Sequence, residues 1–200
     1  MKFRGAEAIV ETTEWEDKHA ISKIRNTRSY RHPELEKRLV RERIRSEVRI
    51  IEKLLSKGIP VPFLYCVDLS NSQIIMEHIE GCTLEKALRK DDFEKSLIET
   101  AELLSSIHSM GVIHGDPTTS NFMVNNRVYA IDFGLSTISE DAEDRASDIR
   151  VFLESIDSHH SEINGRDIFL KSYSKWKGSA PVLKSLEVLE LRGRYNLMRG

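Results

Sequence analysis

No run of residues in this 200-residue chain approaches the roughly 20 consecutive apolar positions that a bilayer-spanning helix needs, so no membrane partner is expected. Residues 1–10 lack the apolar core of a secretory signal. The only cysteines, Cys66 and Cys82, match no zinc spacing and no disulfide framework, which points to a reducing, cytoplasmic setting. No internal repeat or low-complexity stretch is present. A formal net charge of −2 excludes a surface that is basic throughout. What remains is a chain of 40% hydrophobic and 31% charged residues, enough for a sizeable core in one compact unit or two small lobes.

The near-neutral total hides an asymmetry. Residues 23–49 hold ten Lys or Arg against four Glu, whereas residues 140–148 hold five acids against one Arg. Residues 192–200 carry three Arg and no acid. The internal basic segment reads either as a local contact for a polyanion or as a solvated helix face.

Hydrophobic periodicity predicts two short strands within 2–13, a polar turn over 14–18 and a third strand over 19–25. The clearest helix covers 34–57, with Ile44, Val48, Ile51 and Leu55 on one face and Gly58, Pro60 and Pro62 ending it. Two more strands are predicted at 63–68 and 73–79, turned at Ser70-Asn71. A short helix at 83–90 and a longer one at 92–110 follow the break at Gly81. A small hairpin is predicted from 121–124 and 127–131, and the chain after 134 is predicted helical, at 142–155, 165–177 and 181–191. This order gives an α+β architecture: an antiparallel sheet with one long helix over 1–79, a mostly helical lobe over 80–191, and a basic tail over 192–200. The two lobes are expected to meet at a cleft.

The chemistry concentrates in His114-Gly115-Asp116, Asn121 and Asp132-Phe133-Gly134. Phosphoryl transfer needs an acceptor for the attacking hydroxyl's proton, cations on the phosphates and rigid placement. Asp116 is the candidate acceptor. Asn121 offers a neutral oxygen and Asp132 a hard anionic one, ligands suited to Mg²⁺. Either tripeptide alone would pass for an ordinary turn; the ordered set with its Asp-to-Asn spacing does not.

Such a site calls for a strand lysine on the nucleotide phosphates, and Lys23 in Ala20-Ile21-Ser22-Lys23 occupies that place. Glu47, in the middle of the long helix, is its candidate partner, with Glu42 as the rival. Gly5-Ala6-Glu7-Ala8 stands where a nucleotide-covering loop would, although it has a single glycine. Main-chain groups around Met76, Glu77 and Ile79 are candidates for an adenine edge. Asp148 is either an anchor for the catalytic loop or a surface acid. His159, His160 and Glu162 read as a solvated turn, and Thr118, Thr119 and Ser120 as loop-shaping hydroxyls. Thirteen residues separate Gly134 from Asp148, too few for a long activation segment, and Ala-Pro-Glu is missing, so an ordinary peptide-substrate platform is not expected.

Taken together these residues resemble the small atypical serine/threonine kinase of the KEOPS complex, the p53-related protein kinase family. The resemblance rests on Gly5-Ala6-Glu7-Ala8, Lys23-Ile24-Arg25, Ser29-Tyr30-Arg31-His32-Pro33-Glu34-Leu35 and Arg43-Ile44-Arg45-Ser46-Glu47. It extends through Met76-Glu77-His78-Ile79-Glu80-Gly81, His114-Gly115-Asp116-Pro117-Thr118-Thr119-Ser120-Asn121, Ile131-Asp132-Phe133-Gly134-Leu135 and Leu191-Arg192-Gly193-Arg194. It implies a minimal bilobal protein-kinase-like fold with an ATP and Mg²⁺ site using Lys23, Glu47, Asp116, Asn121 and Asp132. It also implies autophosphorylation, and ATP hydrolysis supporting threonylcarbamoylation of adenosine in tRNA. Implied partners are a threonylcarbamoyl-transferase subunit, a small regulatory subunit and, through the complex, tRNA, with Arg192 and Arg194 of the tail linked to tRNA. Pro117 and Arg28 depart from the residues usual in that family, Leu and Lys; neither change removes a catalytic group.

Two other classes remain in view. One is a RIO-type kinase or a small-molecule phosphotransferase, since aminoglycoside-type enzymes share His-Gly-Asp-x-x-x-x-Asn. The other is a non-catalytic adaptor that keeps the fold for binding.

Overall fold

The structure, a computed structural model, describes residues 2–4, 8–26, 32–90 and 92–197, with side chains for 8–26, 32, 34–90 and 92–192. It divides into two compact units, Met1–Glu80 and Gly81–Gly200. No described helix is long and apolar enough to cross a membrane.

The first unit is a five-stranded antiparallel sheet backed by one helix. Strands β1 (Lys2–Arg4), β2 (Ala8–Trp15), β3 (Lys18–Arg25), β4 (Leu64–Asp68) and β5 (Gln73–Glu77) lie in the order β1-β2-β3-β5-β4. The turn joining β2 to β3 is two residues long, not the five predicted. Glu16 and Asp17 both take positive φ, 47° and 63°, which matches the right-handed twist of the flanking strands and lets pairing run to Trp15↔Lys18. Helix α1 (Pro33–Leu55) starts on a proline whose missing N–H would have had no helical partner, with Glu34 and Glu36 in the positive first turn. Its buried face is Val40, Ile44, Glu47, Ile51 and Leu54. Leu54 completes that stripe and is fully buried, whereas Leu55 is only partly so. Val40 and Ile44 pack with Ile74 and Met76, and Ile21, Val48 and Leu64 close around them.

The second unit is mainly helical. It contains β6 (Cys82–Thr83), α2 (Leu84–Ala87), α3 (Phe93–Ser109), β7 (Val112–Ile113), a 3-10 turn (Thr119–Asn121), β8 (Phe122–Val124), β9 (Val128–Ala130), β10 (Thr137–Ile138), α4 (Ala142–His159), α5 (Gly165–Tyr173) and α6 (Ser179–Leu197). The predicted hairpin is present as β8 and β9, with Phe122↔Ala130 and Val124↔Val128 paired. It gains a third strand, β6. Gly81 allows that approach: at φ +131°, a Cβ would lie 2.2 Å from the Val124 carbonyl oxygen. The segment after residue 134 is not wholly helical as predicted, since β10 pairs back onto β7, Ile113 against Thr137. The first helix of the unit spans only Leu84–Ala87, shorter than the 83–90 predicted. Helix α6 runs through Arg192 to Leu197, so the basic end of the chain begins inside a helix.

The core of this unit is a file of rings: Phe122, Phe152, Phe169, Tyr173 and Trp176 follow one another at centroid distances of 5.7, 4.5, 6.0 and 5.7 Å. Aromatic pairs at such separations add about 0.5–1.5 kcal/mol each beyond area burial. His160, read from the sequence as part of a solvated turn, is fully buried where it caps α4.

Candidate active site

The structure gathers the predicted residues into two clusters, one in each unit. In the first, strand period two puts Lys23 and Arg25 on the same face of β3. Lys23 Nζ lies 2.6 Å from Glu47 Oε1, and Arg25 Nη2 donates to Glu47 Oε2. All three side chains are buried. Breaking a buried ion pair by removing one partner costs about 3–5 kcal/mol, because the other charge stays behind without water. Glu42, the rival acid, is half exposed and pairs instead with Arg38 at 2.9 Å. Sequence reasoning missed Arg25, although its place two residues after Lys23 was the signal.

The remaining first-unit candidates are placed as follows. The Met76 side chain sits in the core between helix and sheet, and Ile79 is buried. The Glu77 amide is taken up by the Phe63 carbonyl at 2.8 Å, so that N–H is not offered to a ligand. Ala8 opens β2, opposite Arg25. Gly5, Ala6 and Glu7, and with them the proposed covering loop, lie outside the described residues.

In the second unit, β7 delivers the chain to His114-Gly115-Asp116. Three hydrogen bonds from one carboxylate set the backbone there: Asp148 accepts from the His114 amide at 2.6 Å, from the Gly115 amide at 2.9 Å and from His108 Nε2 at 3.1 Å. Asp148 is therefore the buried anchor rather than the surface acid. One helical period of seven further along α4, Ser155 accepts from the Thr119 amide at 3.0 Å, so the helix holds the loop at two points. Between them Pro117 is the centre of a three-residue turn closed by Thr118 N–H on the Asp116 carbonyl at 2.8 Å. Its locked φ near −65° suits that turn, which accounts for proline at this position.

Asn121 faces Asp116. Its Nδ2 donates to the Asp116 carbonyl at 2.8 Å and to carboxylate Oδ2 at 2.9 Å. The Ile131 amide donates to the Asn121 carbonyl at 2.9 Å, which brings the end of β9, and so Asp132, alongside. His114 ties the same strands from below: its Nε2–H donates to the Ile131 carbonyl at 3.1 Å, and its ring lies 4.9 Å from that of Phe133. Asp132 has φ +61°, a conformation that costs a non-glycine residue on the order of 1 kcal/mol or more and persists only where surroundings impose it. Gly115 is squeezed against the next segment: a Cβ on it would lie 2.4 Å from the Leu135 carbonyl oxygen.

The electrostatics follow from this packing. Burial pushes the Asp116 carboxyl above the ordinary aspartate value, and the charges of Asp132 and Asp148 push the same way, against the hydrogen bond from Asn121. Burial holds His108 and His114 below the usual histidine value, so both are neutral. A neutral His108 accepts at Nδ1 from the Tyr173 hydroxyl, 2.7 Å away, while donating to Asp148. Neither His108 nor Tyr173 was singled out from sequence.

Among the described residues no group of three His, Cys, Asp or Glu side chains could hold a metal ion. Mg²⁺ in phosphoryl-transfer sites takes one or two protein oxygens together with substrate phosphates and water. Asn121 and Asp132 fit as such a partial set: with its nitrogen committed to Asp116, Asn121 keeps its amide oxygen for another partner. Arg192 is exposed and pairs with Glu143 at 3.0 Å, and the Arg194 side chain lies outside the described residues.

These folds and clusters define a protein kinase domain, and the profile of that family matches residues 6–154. EKC/KEOPS complex subunit BUD32 of Encephalitozoon cuniculi is 36% identical over 96% of this chain and 94% of its own length. The mouse EKC/KEOPS complex subunit Tp53rkb is 35% identical over 98% of this chain and 87% of its own. The chain belongs to the protein kinase family and, within it, to the branch of these KEOPS subunits. A probable bifunctional tRNA threonylcarbamoyladenosine biosynthesis protein of Methanospirillum hungatei is 37% identical across 96% of this chain, but the chain spans only 36% of that longer protein. A Rio2 kinase–ADP/Mg²⁺-phosphoaspartate complex from Chaetomium thermophilum superposes with a TM-score of 0.68 at 15% identity, covering 98% of this chain and 70% of that one, a likeness of fold alone.

Proposed function

We propose that this chain is an ATP- and Mg²⁺-dependent atypical serine/threonine kinase and ATPase that supports threonylcarbamoyladenosine formation in tRNA as a subunit of a KEOPS complex. The observation that carries the catalytic part is the bonded pair of Asp116 and Asn121, locked to the Asp132 segment through Ile131 and His114. The names of relatives matched over most of their own length support the KEOPS part, and the name of the longer Methanospirillum protein, of which the chain spans about a third, supports the tRNA part.

In this reading Lys23, held by Glu47, binds the nucleotide phosphates, and Asp132 and Asn121 hold Mg²⁺. The bound ion would neutralise charge on the phosphates. Asp116 accepts a hydrogen bond from the attacking hydroxyl, of a serine, a threonine or water, and takes its proton as the new oxygen–phosphorus bond forms and the bond from the terminal phosphorus to the bridging oxygen breaks, releasing ADP. Its raised pKa makes it a better acceptor than an ordinary aspartate. The rigid backing from Asp148 and Ser155 supplies orientation rather than chemistry. The implied partners are the threonylcarbamoyl-transferase subunit, against the second unit, and the small regulatory subunit, against the first.

Purification of the tagged chain from its native extract tests the pathway part. Co-purification of a threonylcarbamoyl-transferase subunit is the expected result. Recovery of the chain alone, at every salt concentration used, would contradict it.

A further inference from the structure

The exposed face of α1 carries a feature the kinase chemistry does not use. Arg41, Arg45 and Arg49 are all exposed and stand four residues apart. At about 100° and 1.5 Å per residue, each is about 40° around and 6 Å along from the last, so the three form one stripe about 12 Å long. No ion pair joins any of them to a carboxylate among the described residues. Toward the helix start, Lys37 and Arg38 extend the stripe, and with Glu34, Arg41, Glu42 and Arg45 they line a groove of about 400 Å³. Their partners Glu34 and Glu42 are themselves exposed at 79% and 50%, and such surface pairs exchange readily for a stronger anion. The opposite face of the helix is buried, and Glu47 ties it to Lys23 and Arg25, so the stripe cannot turn inward.

A row of like charges at i, i+4 costs a helix about 0.2–0.5 kcal/mol per pair. Here no ion pair to these three arginines among the described residues offsets the cost, on a protein whose net charge is −2. We propose that this arginine stripe is a docking surface for the phosphodiester backbone of RNA. Over its length of about 12 Å, one nucleic-acid strand presents three to four phosphates at about 3.4 Å of axial rise each. The guanidinium fork matches phosphate oxygens two at a time, and all three positions are arginine. The assignment rests on the reading that the chain serves tRNA modification, and it gives that reading a contact surface separate from the catalytic cluster.

The test is anisotropy binding of an unmodified tRNA transcript at several salt concentrations, to wild type and to the triple variant Arg41→Gln, Arg45→Gln, Arg49→Gln, with ATP turnover measured on both. The proposal predicts binding by wild type, weaker binding by the variant, and a log–log salt slope reduced by about 2–3, roughly one per arginine removed. Turnover should be unchanged. Equal binding and slope for the two proteins would overturn the stripe while leaving the kinase reading intact. Displacement of the tRNA by polyglutamate as effective as by polyuridylate at equal charge would also overturn it, in favour of a face for acidic protein. Absence of tRNA binding by wild type at low salt would overturn it as well, together with a direct RNA contact for this chain. Loss of turnover by the variant would also overturn it, as a surface separate from catalysis.

Discussion

One nitrogen of Asn121 reaches two oxygens of Asp116, the carbonyl at 2.8 Å and the carboxylate at 2.9 Å. This bond works against the burial and the neighbouring acids that push the Asp116 carboxyl up. Asn121→Asp removes the donor and adds a like charge. The acid limb of the kcat/KM–pH profile should then move to higher pH, with lower activity at its top. A profile unchanged in position would contradict the arrangement.

Asp116→Asn separates stability from activity. A carboxyl whose folded-state pKa lies above its unfolded value destabilises the fold once pH exceeds the unfolded value, because the native state resists ionising. Removing that charge should raise Tm at pH 7 in a thermal melt. Turnover should fall by about 10²–10⁴-fold, the usual worth of a positioned proton acceptor. A variant that both melts lower and stays active would refute the role of the residue.

Tyr173→Phe deletes the hydroxyl that donates to His108. A buried polar group left without its partner costs about 1–3 kcal/mol, and each of those lowers the Tm of a chain this long by about 2–4 °C. Asp148→Ala should be worse for turnover, since it releases the His114 and Gly115 amides directly. Melting and turnover of the two variants side by side check this order.

Acid should unfold the protein early. His108, His114 and His160 all have folded-state pKa values lowered by burial. Their stabilisation is complete above the unfolded value of about 6.5 and is lost as pH falls below it, at up to about 1.4 kcal/mol per pH unit for each proton the unfolded chain takes up. Asp116, whose carboxyl burial pushes up, acts in the opposite sense. Urea titrations between pH 7 and 5 should show the midpoint falling with little change in slope, and a flat midpoint would count against neutral buried histidines.

The catalytic cluster was legible because its residues are close in sequence and their order is chemically meaningful: Asp116 to Asn121 is a loop-length step, and Asp132 opens the next loop. Lys23 and Glu47 were legible from the strand and helix they occupy. The anchor behind them was less so. His108, Tyr173 and Asp148 meet across separations of 65 and 40 residues, and no spacing rule predicts which helical positions will face one another. Ser155 and Arg25 carried weak signals, a helical seven and a strand two, that become informative only once a partner is known. Two-residue strands such as β6, β7 and β10 are too short to alternate, so they left no pattern. His160 looked solvated because its neighbours are polar, yet the end of α4 turns it inward.

The most direct test of the catalytic centre is Mg²⁺-dependent ATP turnover by Asp132→Ala. Asp132 is exposed, so its loss should leave the fold intact, with an unaltered circular dichroism spectrum. Turnover should drop by at least about a hundredfold, the scale for losing one group that stabilises developing charge. A folded variant that hydrolyses ATP and phosphorylates itself at the wild-type rate would contradict the account at its centre.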